Sequence, residues 1–82
     1  MIIDKSLNFG MQNFFFVKSD ETDVTYDYVG FVNRKGSILI MRLDKAGENA
    51  LYYIGTGVFA TVFGLRATFT YVTPDALIDP QV

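Results

Sequence analysis

The sequence contains no cysteine, no histidine and no tryptophan, and only two prolines among 82 residues. Each absence removes a class of chemistry. Without cysteine there is no disulfide. Without cysteine and histidine together there is no ordinary zinc site, haem ligation or iron–sulfur cluster. A Ser-His-Asp triad and a Cys-His dyad are equally impossible. A chain of this length is expected to form one domain, 1–82, burying only ~60% of its unfolded surface. Such domains are usually held by disulfides, a metal or a partner. Here only the partner remains.

Basic residues are also scarce. Seven Lys and Arg stand against nine Asp and Glu, a formal charge of −2. A nucleic-acid binder of this size normally presents a basic face, so direct nucleic-acid contact is not expected. The start, Met1-Ile2-Ile3-Asp4-Lys5, places an acid where a signal peptide has its basic region. The longest uncharged run, Asn49 to Leu65, spans 17 residues with three glycines and two threonines. A membrane helix needs ~20 predominantly apolar residues, so no membrane span is expected.

What the chain does have is apolar surface. Hydrophobic residues make up 50% and aromatics 16%, with eight Phe and five Tyr. That is too apolar for disorder. It also exceeds what one small core hides, so contacts between copies are expected.

The pattern is all-β. Residues 1–17 read as an N-terminal arm or first strand. Leu7, Phe9 and Met11 alternate with polar residues and glycine. Phe14, Phe15 and Phe16 cannot all face one side of a strand, so one face there needs a second cover. Lys18 to Asp23 reads as an acidic turn. Val24 to Val32 reads as a strand, and Asn33-Arg34-Lys35-Gly36 as a hairpin turn. Ser37 to Leu43 is the return strand. Its Ile38-Leu39-Ile40-Met41 is apolar on both faces, which predicts a central strand covered twice. Asp44 to Asn49 turns the chain again into Ala50–Ile54. Short loops force antiparallel pairing, hence a meander. Val58, Phe59, Val62 and Phe63 have the spacing of a helical turn or an irregular crossover. Leu65, Ala67, Phe69 and Tyr71 alternate with Arg66, Thr68, Thr70 and Val72, predicting a final half-buried strand within a 24–73 core. Residues 74–82 form a short tail with Leu77 and Ile78. The expected architecture is a small antiparallel meander forming a sandwich or barrel-like domain.

No motif carries catalysis. Gly55-x-Gly57 lacks the third glycine and the βαβ context of a dinucleotide site. Asp20, Glu21 and Asp23 cluster like a cation loop but lack the calcium-loop spacing, and a solvated turn is the simpler reading. Asp27 is the lone acid inside a predicted strand and is expected to pair with a cross-strand Arg or Lys. Tyr26 and Tyr28 share a face, which could stack on a ligand or fill a small core. Val29-Gly30-Phe31-Val32 matches only part of an RNA-binding strand motif. Arg42 and Arg66 are the two basic residues placed within predicted strands. No enzyme activity, metal or cofactor is expected.

Tyr28-Val29-Gly30-Phe31, a turn with Gly36, Ile40-Met41-Arg42, Tyr52-Tyr53, a glycine break and Arg66-Ala67-Thr68-Phe69-Thr70-Tyr71 follow in order. This order resembles a group of small bacteriophage and environmental proteins. Their strands read roughly Y-x-G-F, W-Y-I-M-R and R-A-S-L-T-Y. The likeness covers residues 26 to 77. The chain departs from it at Ser37-Ile38-Leu39 and in having no Trp. The resemblance implies a virion-associated structural role, in decoration, a tail or fibre, or a joint. The partners would then be copies of itself and other virion proteins. The candidate interface residues are Phe14, Phe15, Phe16, Phe59, Phe63, Arg42 and Arg66. The competing readings are a glycan- or ligand-binding β module and, third, a small membrane protein.

Overall fold

The computed structural model describes residues 6–9, 12–47 and 49–73, with side chains from Phe14 onward. Met11, Glu48 and the tail from Pro74, with Leu77 and Ile78, lie outside the described residues, as do the side chains of Leu7 and Phe9. The strands are β1 (Ser6–Phe9), β2 (Gln12–Asp20), β3 (Tyr26–Val32), β4 (Ser37–Asp44) and β5 (Ala50–Thr56). They form one antiparallel sheet in chain order. A short helix α1 (Phe59–Gly64) and a 3-10 turn (Arg66–Thr68) follow.

The β3–β4 turn is the one the sequence announces. The Asn33 side-chain oxygen accepts from the backbone N–H of Lys35 at 3.0 Å and of Ser37 at 2.8 Å. Gly36 takes φ +90°, a conformation that glycine adopts without steric cost. The resulting register sets Tyr28 opposite Arg42, Gly30 opposite Ile40 and Val32 opposite Ile38.

β4 is covered twice, as its two-sided apolar run requires. Ile38 and Ile40 join Tyr28, Phe63 and Tyr71 in one cluster. Leu39 joins Phe14, Val29 and Phe31 in the other, with Phe16, Met41, Tyr52 and Ile54 packed against it. Val29, Leu39 and Ile40 expose no surface. Removing a side chain of this kind typically costs ~2–5 kcal/mol.

Among the described residues there is one sheet. The layer over the Tyr28–Ile40 face is α1, the 3-10 turn and Tyr71. Gly30 makes this packing possible. A Cβ built there would lie 2.5 Å from Phe59 Cζ and 2.9 Å from Phe63 Cδ1. The two rings thus lie against bare backbone, stacked 5.4 Å apart.

Two sequence expectations are corrected. First, Lys18 to Asp20 are strand residues of β2, not part of the turn. Between Phe16 and Lys18 the register with β3 shifts by a bulge. Phe16 faces Phe31, whereas Lys18 faces Gly30 and Asp20 faces Tyr28. The extra residue, Val17, moves Lys18 and Asp20 onto the helix-bearing face, because strand side chains alternate with period two. Second, Leu65 to Tyr71 is not a strand. Leu65 N–H donates to Val62 carbonyl, and Thr68 N–H to Leu65 carbonyl, closing tight turns. Among the described residues after α1, only Val72 reaches the sheet edge, exchanging two backbone hydrogen bonds with Tyr52 of 2.8 and 2.9 Å. The alternation instead reflects Phe69 and Tyr71 packing down onto the sheet face. Tertiary contacts override the local pattern.

A methyl group at position 30 tests the seat of the helix. Gly30→Ala should destabilise the chain by ~1–3 kcal/mol through overpacking. The double variant Gly30→Ala/Phe59→Leu should lose less than the sum of its single changes. Urea denaturation of the four proteins reads this coupling, and strict additivity would count against the contact.

Candidate functional site

The helix-bearing face is apolar at one end and polar at the other. Its apolar end is the row Phe15, Val32, Ile38 and Gly55 across β2 to β5. Its polar end is the row Asp20, Tyr28, Arg42 and Leu51. The segment after α1 lays Arg66 and Tyr71 over this second row.

Cations and aromatic rings alternate there. The Arg42 guanidinium carbon lies 4.3 Å from the Tyr26 ring centre and 4.6 Å from that of Tyr71. The Arg66 carbon lies 4.8 Å from Phe63 and 5.4 Å from Tyr28. Lys18 Nζ is 5.8 Å from the Phe63 ring. Tyr28 sits 6.2 Å from both Tyr26 and Tyr71. Each cation–ring contact contributes ~0.5–2 kcal/mol, the upper end applying when water is excluded.

The two arginines differ in their hydrogen bonds. Arg66 pairs with Asp20 and also donates to the Phe63 carbonyl at 3.0 Å. Tyr71 Oη donates to the Arg66 carbonyl at 2.7 Å. Arg66 is therefore fixed from three sides, although its Nε is buried without an acceptor. Among the described residues Arg42 makes ring contacts only. Among the described residues no carboxylate lies within ion-pair distance of it and no acceptor takes its N–H groups. Its nitrogens are not among the buried unpaired atoms, so they face solvent.

Protonation follows these surroundings. Burial pushes the Tyr71 phenol well above its ordinary range, with nearby Tyr28 adding to the rise. Burial raises Tyr28 and Tyr52 as well. Asp20 moves the other way, from the ordinary 3.8 to about 2. The Thr22 hydroxyl and backbone N–H are the larger causes, at 2.6 and 2.9 Å, and Arg66 adds to them.

The acids read as a cation loop are otherwise engaged. Asp20 Oδ1 holds Thr22 while its Oδ2 holds Arg66. Asp23 Oδ1 accepts from the N–H groups of Thr25 and Tyr26, which lowers its pKa. Among the described residues no three metal-ligating side chains converge. Asp27 pairs with Lys45 Nζ at 3.4 Å, a basic residue in the β4–β5 turn rather than on the cross-strand partner. That lysine also donates to the Glu21 carbonyl at 2.8 Å.

The aromatic candidates divide. Phe14 and Phe63 lie in the chain's own cores at 1% and 3% exposure, so neither has surface for a neighbouring subunit. Phe16 is half-buried edge-on against Phe31, and Phe59 is half-buried on Gly30. Phe15 alone of the five stands out, at 40% exposure. Arg42 lies in β4 as expected, whereas Arg66 lies in the 3-10 turn and its ion pair is within the chain. The tyrosines do not form an open stacking platform. Tyr28 and Tyr71 are buried, and the Tyr53 ring stacks on Phe69 at 3.9 Å. Val29 and Phe31 of the partial RNA-binding motif are buried too. The Asn49–Leu65 run divides into β5 and α1, and no described helix is long and apolar enough to cross a membrane.

Sequence reasoning placed Tyr26 and Tyr28 on one face and Arg42 within a strand, but did not bring them together and missed the cluster. Lys18 and Asp20 were hidden by the bulge. The Asp20–Arg66 pair joins residues 46 positions apart, and no local signal announces it. No family model, curated protein or solved structure matches the chain.

Asp20, its carboxylate held first by Thr22 and then by Arg66, predicts an acid-sensitive fold. Because the Asp20 pKa is depressed, its contribution is complete above the ordinary 3.8 and disappears as pH falls through about 2. The urea midpoint should therefore drop between about pH 4 and about pH 2. Asp20→Asn should lower the midpoint at neutral pH and flatten that drop. Parallel acid profiles for the two proteins would refute the assignment.

Proposed function

We propose that the chain is a non-enzymatic structural protein of a bacteriophage particle, acting by packing against copies of itself and other virion proteins. Decoration, tail or fibre, and joining positions are all compatible with this role. The observation that carries the reading is the exposed apolar pair on β2. Phe15 is 40% exposed and Val17 is 44% exposed. Large apolar side chains brought together on one strand mark association surfaces.

The location supports the reading. β2 and β1 form the outer hairpin of the sheet, away from β5, whose edge meets Val72. Val17 is the bulge residue, so the side chain that the bulge expels from the alternation is the one left facing out. A specific interface takes ~800 Å² from each partner. Against a total surface of 5210 Å² that is a sizeable share. Phe15 and Val17 would therefore form only the centre of a patch that includes the rest of the hairpin. The likeness to small phage proteins over residues 26–77 supplies the virion setting.

A surface substitution separates assembly from folding. Phe15→Ser with Val17→Thr should leave the circular dichroism spectrum unchanged. It should reduce the solution molar mass, read by light scattering, from an oligomer to one chain. A wild-type chain that stays monomeric at every concentration, and is not taken up into particles, would overturn the proposal.

A further inference from the structure

We propose that Arg42 is the receptor of a carboxylate-binding site formed with Tyr26 and Tyr71. This inference stands apart from the virion reading, since it rests on a different surface and a different observation.

The argument begins with an asymmetry between two similar residues. Arg66 and Arg42 occupy the same aromatic cluster on the same sheet face. Arg66 has a carboxylate, a carbonyl and two rings. Arg42 has two rings and, among the described residues, nothing for its N–H groups. A guanidinium carries five donors in a fixed plane. Donors that reach the surface are met by water, which an acceptor on a ligand can replace. Here the side chain is half-buried and held by ring contacts, yet its donors remain open.

The rings make this a prepared site. Contacts at 4.3 and 4.6 Å restrain the guanidinium before any ligand arrives. Neither ring is itself loose. Tyr71 is 8% exposed and its hydroxyl is tied to the Arg66 carbonyl. Tyr26 lies 6.2 Å from buried Tyr28. Ordering a long arginine side chain is a large part of the cost of binding through it, and here that ordering precedes binding.

The ligand class follows from shape and charge. The rings hold the guanidinium carbon at 4.3 and 4.6 Å, and its nitrogens, none of them buried, are the point of approach. A planar carboxylate meets them with two parallel N–H···O bonds. Asp44 lies two residues along the same face of β4, opposite Tyr26. A dianionic phosphate would be repelled by it more than a monoanionic carboxylate. The ligand is therefore a carboxylate group, and phosphate is the competitor to test.

The measurement is an NMR titration of the intact chain with sodium acetate. Sodium chloride is exchanged out to hold ionic strength constant, and inorganic phosphate is titrated in a parallel series. The ring signals of Tyr26 and Tyr71 should shift saturably with acetate, while the Phe16 and Phe31 signals on the opposite face stay still. Arg42→Lys keeps the charge and the ring contact but loses the planar fork, so it should weaken binding ~10-fold or more. Arg42→Gln should abolish it, and Arg66→Lys should leave it in place. Should Arg42→Gln fail to fold, Arg42→Lys decides. A linear response without saturation, equal binding in Arg42→Lys, or phosphate binding tighter than acetate would each overturn the proposal.

Discussion

The absence of a side chain at Gly30 is the constraint on which the helix-bearing face depends. A short helix of six residues has little stability of its own, because helix nucleation is costly and few hydrogen bonds follow it. Its position comes from Phe59 and Phe63 resting on the Gly30 backbone. With those rings in place, the chain leaving α1 must cross the sheet. That crossing brings Arg66 over Tyr28 and Tyr71 over Arg42. The cation–aromatic cluster is thus a consequence of helix seating, joined to position 30 through Phe63 and through Lys18, its partner across the ladder.

A second device works from the other side of the same cluster. The β2 bulge moves Lys18 and Asp20 onto the face where α1 lies. Without the shift, the alternation would carry Asp20 to the opposite face, away from Arg66. A half-buried arginine would then lack its counter-charge. The penalty for removing one partner of such a pair exceeds what the pair contributes, because the remaining group stays desolvated. Bulge and glycine therefore act jointly. One positions the acid, and the other positions the base.

The meander was legible because its signals are local. Asn33 and Gly36 close a turn between two β-branched and aromatic runs, and Ile38 to Met41 must be covered on both faces whatever surrounds them. The acidic loops were legible for the same reason. Asp20, Asp23, Asn33 and Asp44 each accept from backbone N–H groups two to four residues on, a device intrinsic to Asp and Asn. What could not be read is every feature decided at a distance. The bulge depends on Phe31 and Gly30 across the ladder. The 65–71 segment has a strand's alternation, yet its aromatic residues face a sheet surface rather than a neighbouring strand. Phe69 stacks on Tyr53 and Tyr71 meets Tyr28. The alternation holds only for Phe69 and Tyr71, since Leu65 and Ala67 are exposed and Arg66 turns in over Tyr28.

The same distinction bears on the aromatic content. From composition alone, a chain with eight Phe and five Tyr has rings in excess of one small core. The structure accounts for many of them as ring-to-ring and ring-to-cation partners on the two faces of one sheet. Aromatic composition therefore overstates the surface available for association, because a small domain covered on both faces of its sheet uses more rings than one with a single core. Of the rings described, Phe15 is the one that stays exposed. The β2 side offers apolar Phe15 and Val17, suited to packing. The far end of the helix-bearing face offers an arginine whose donors meet no acceptor among the described residues, suited to a single charged group. A contact using the first gains area without direction, and one using the second gains direction with little area. Placing them on different parts of the sheet lets each be engaged without displacing the other.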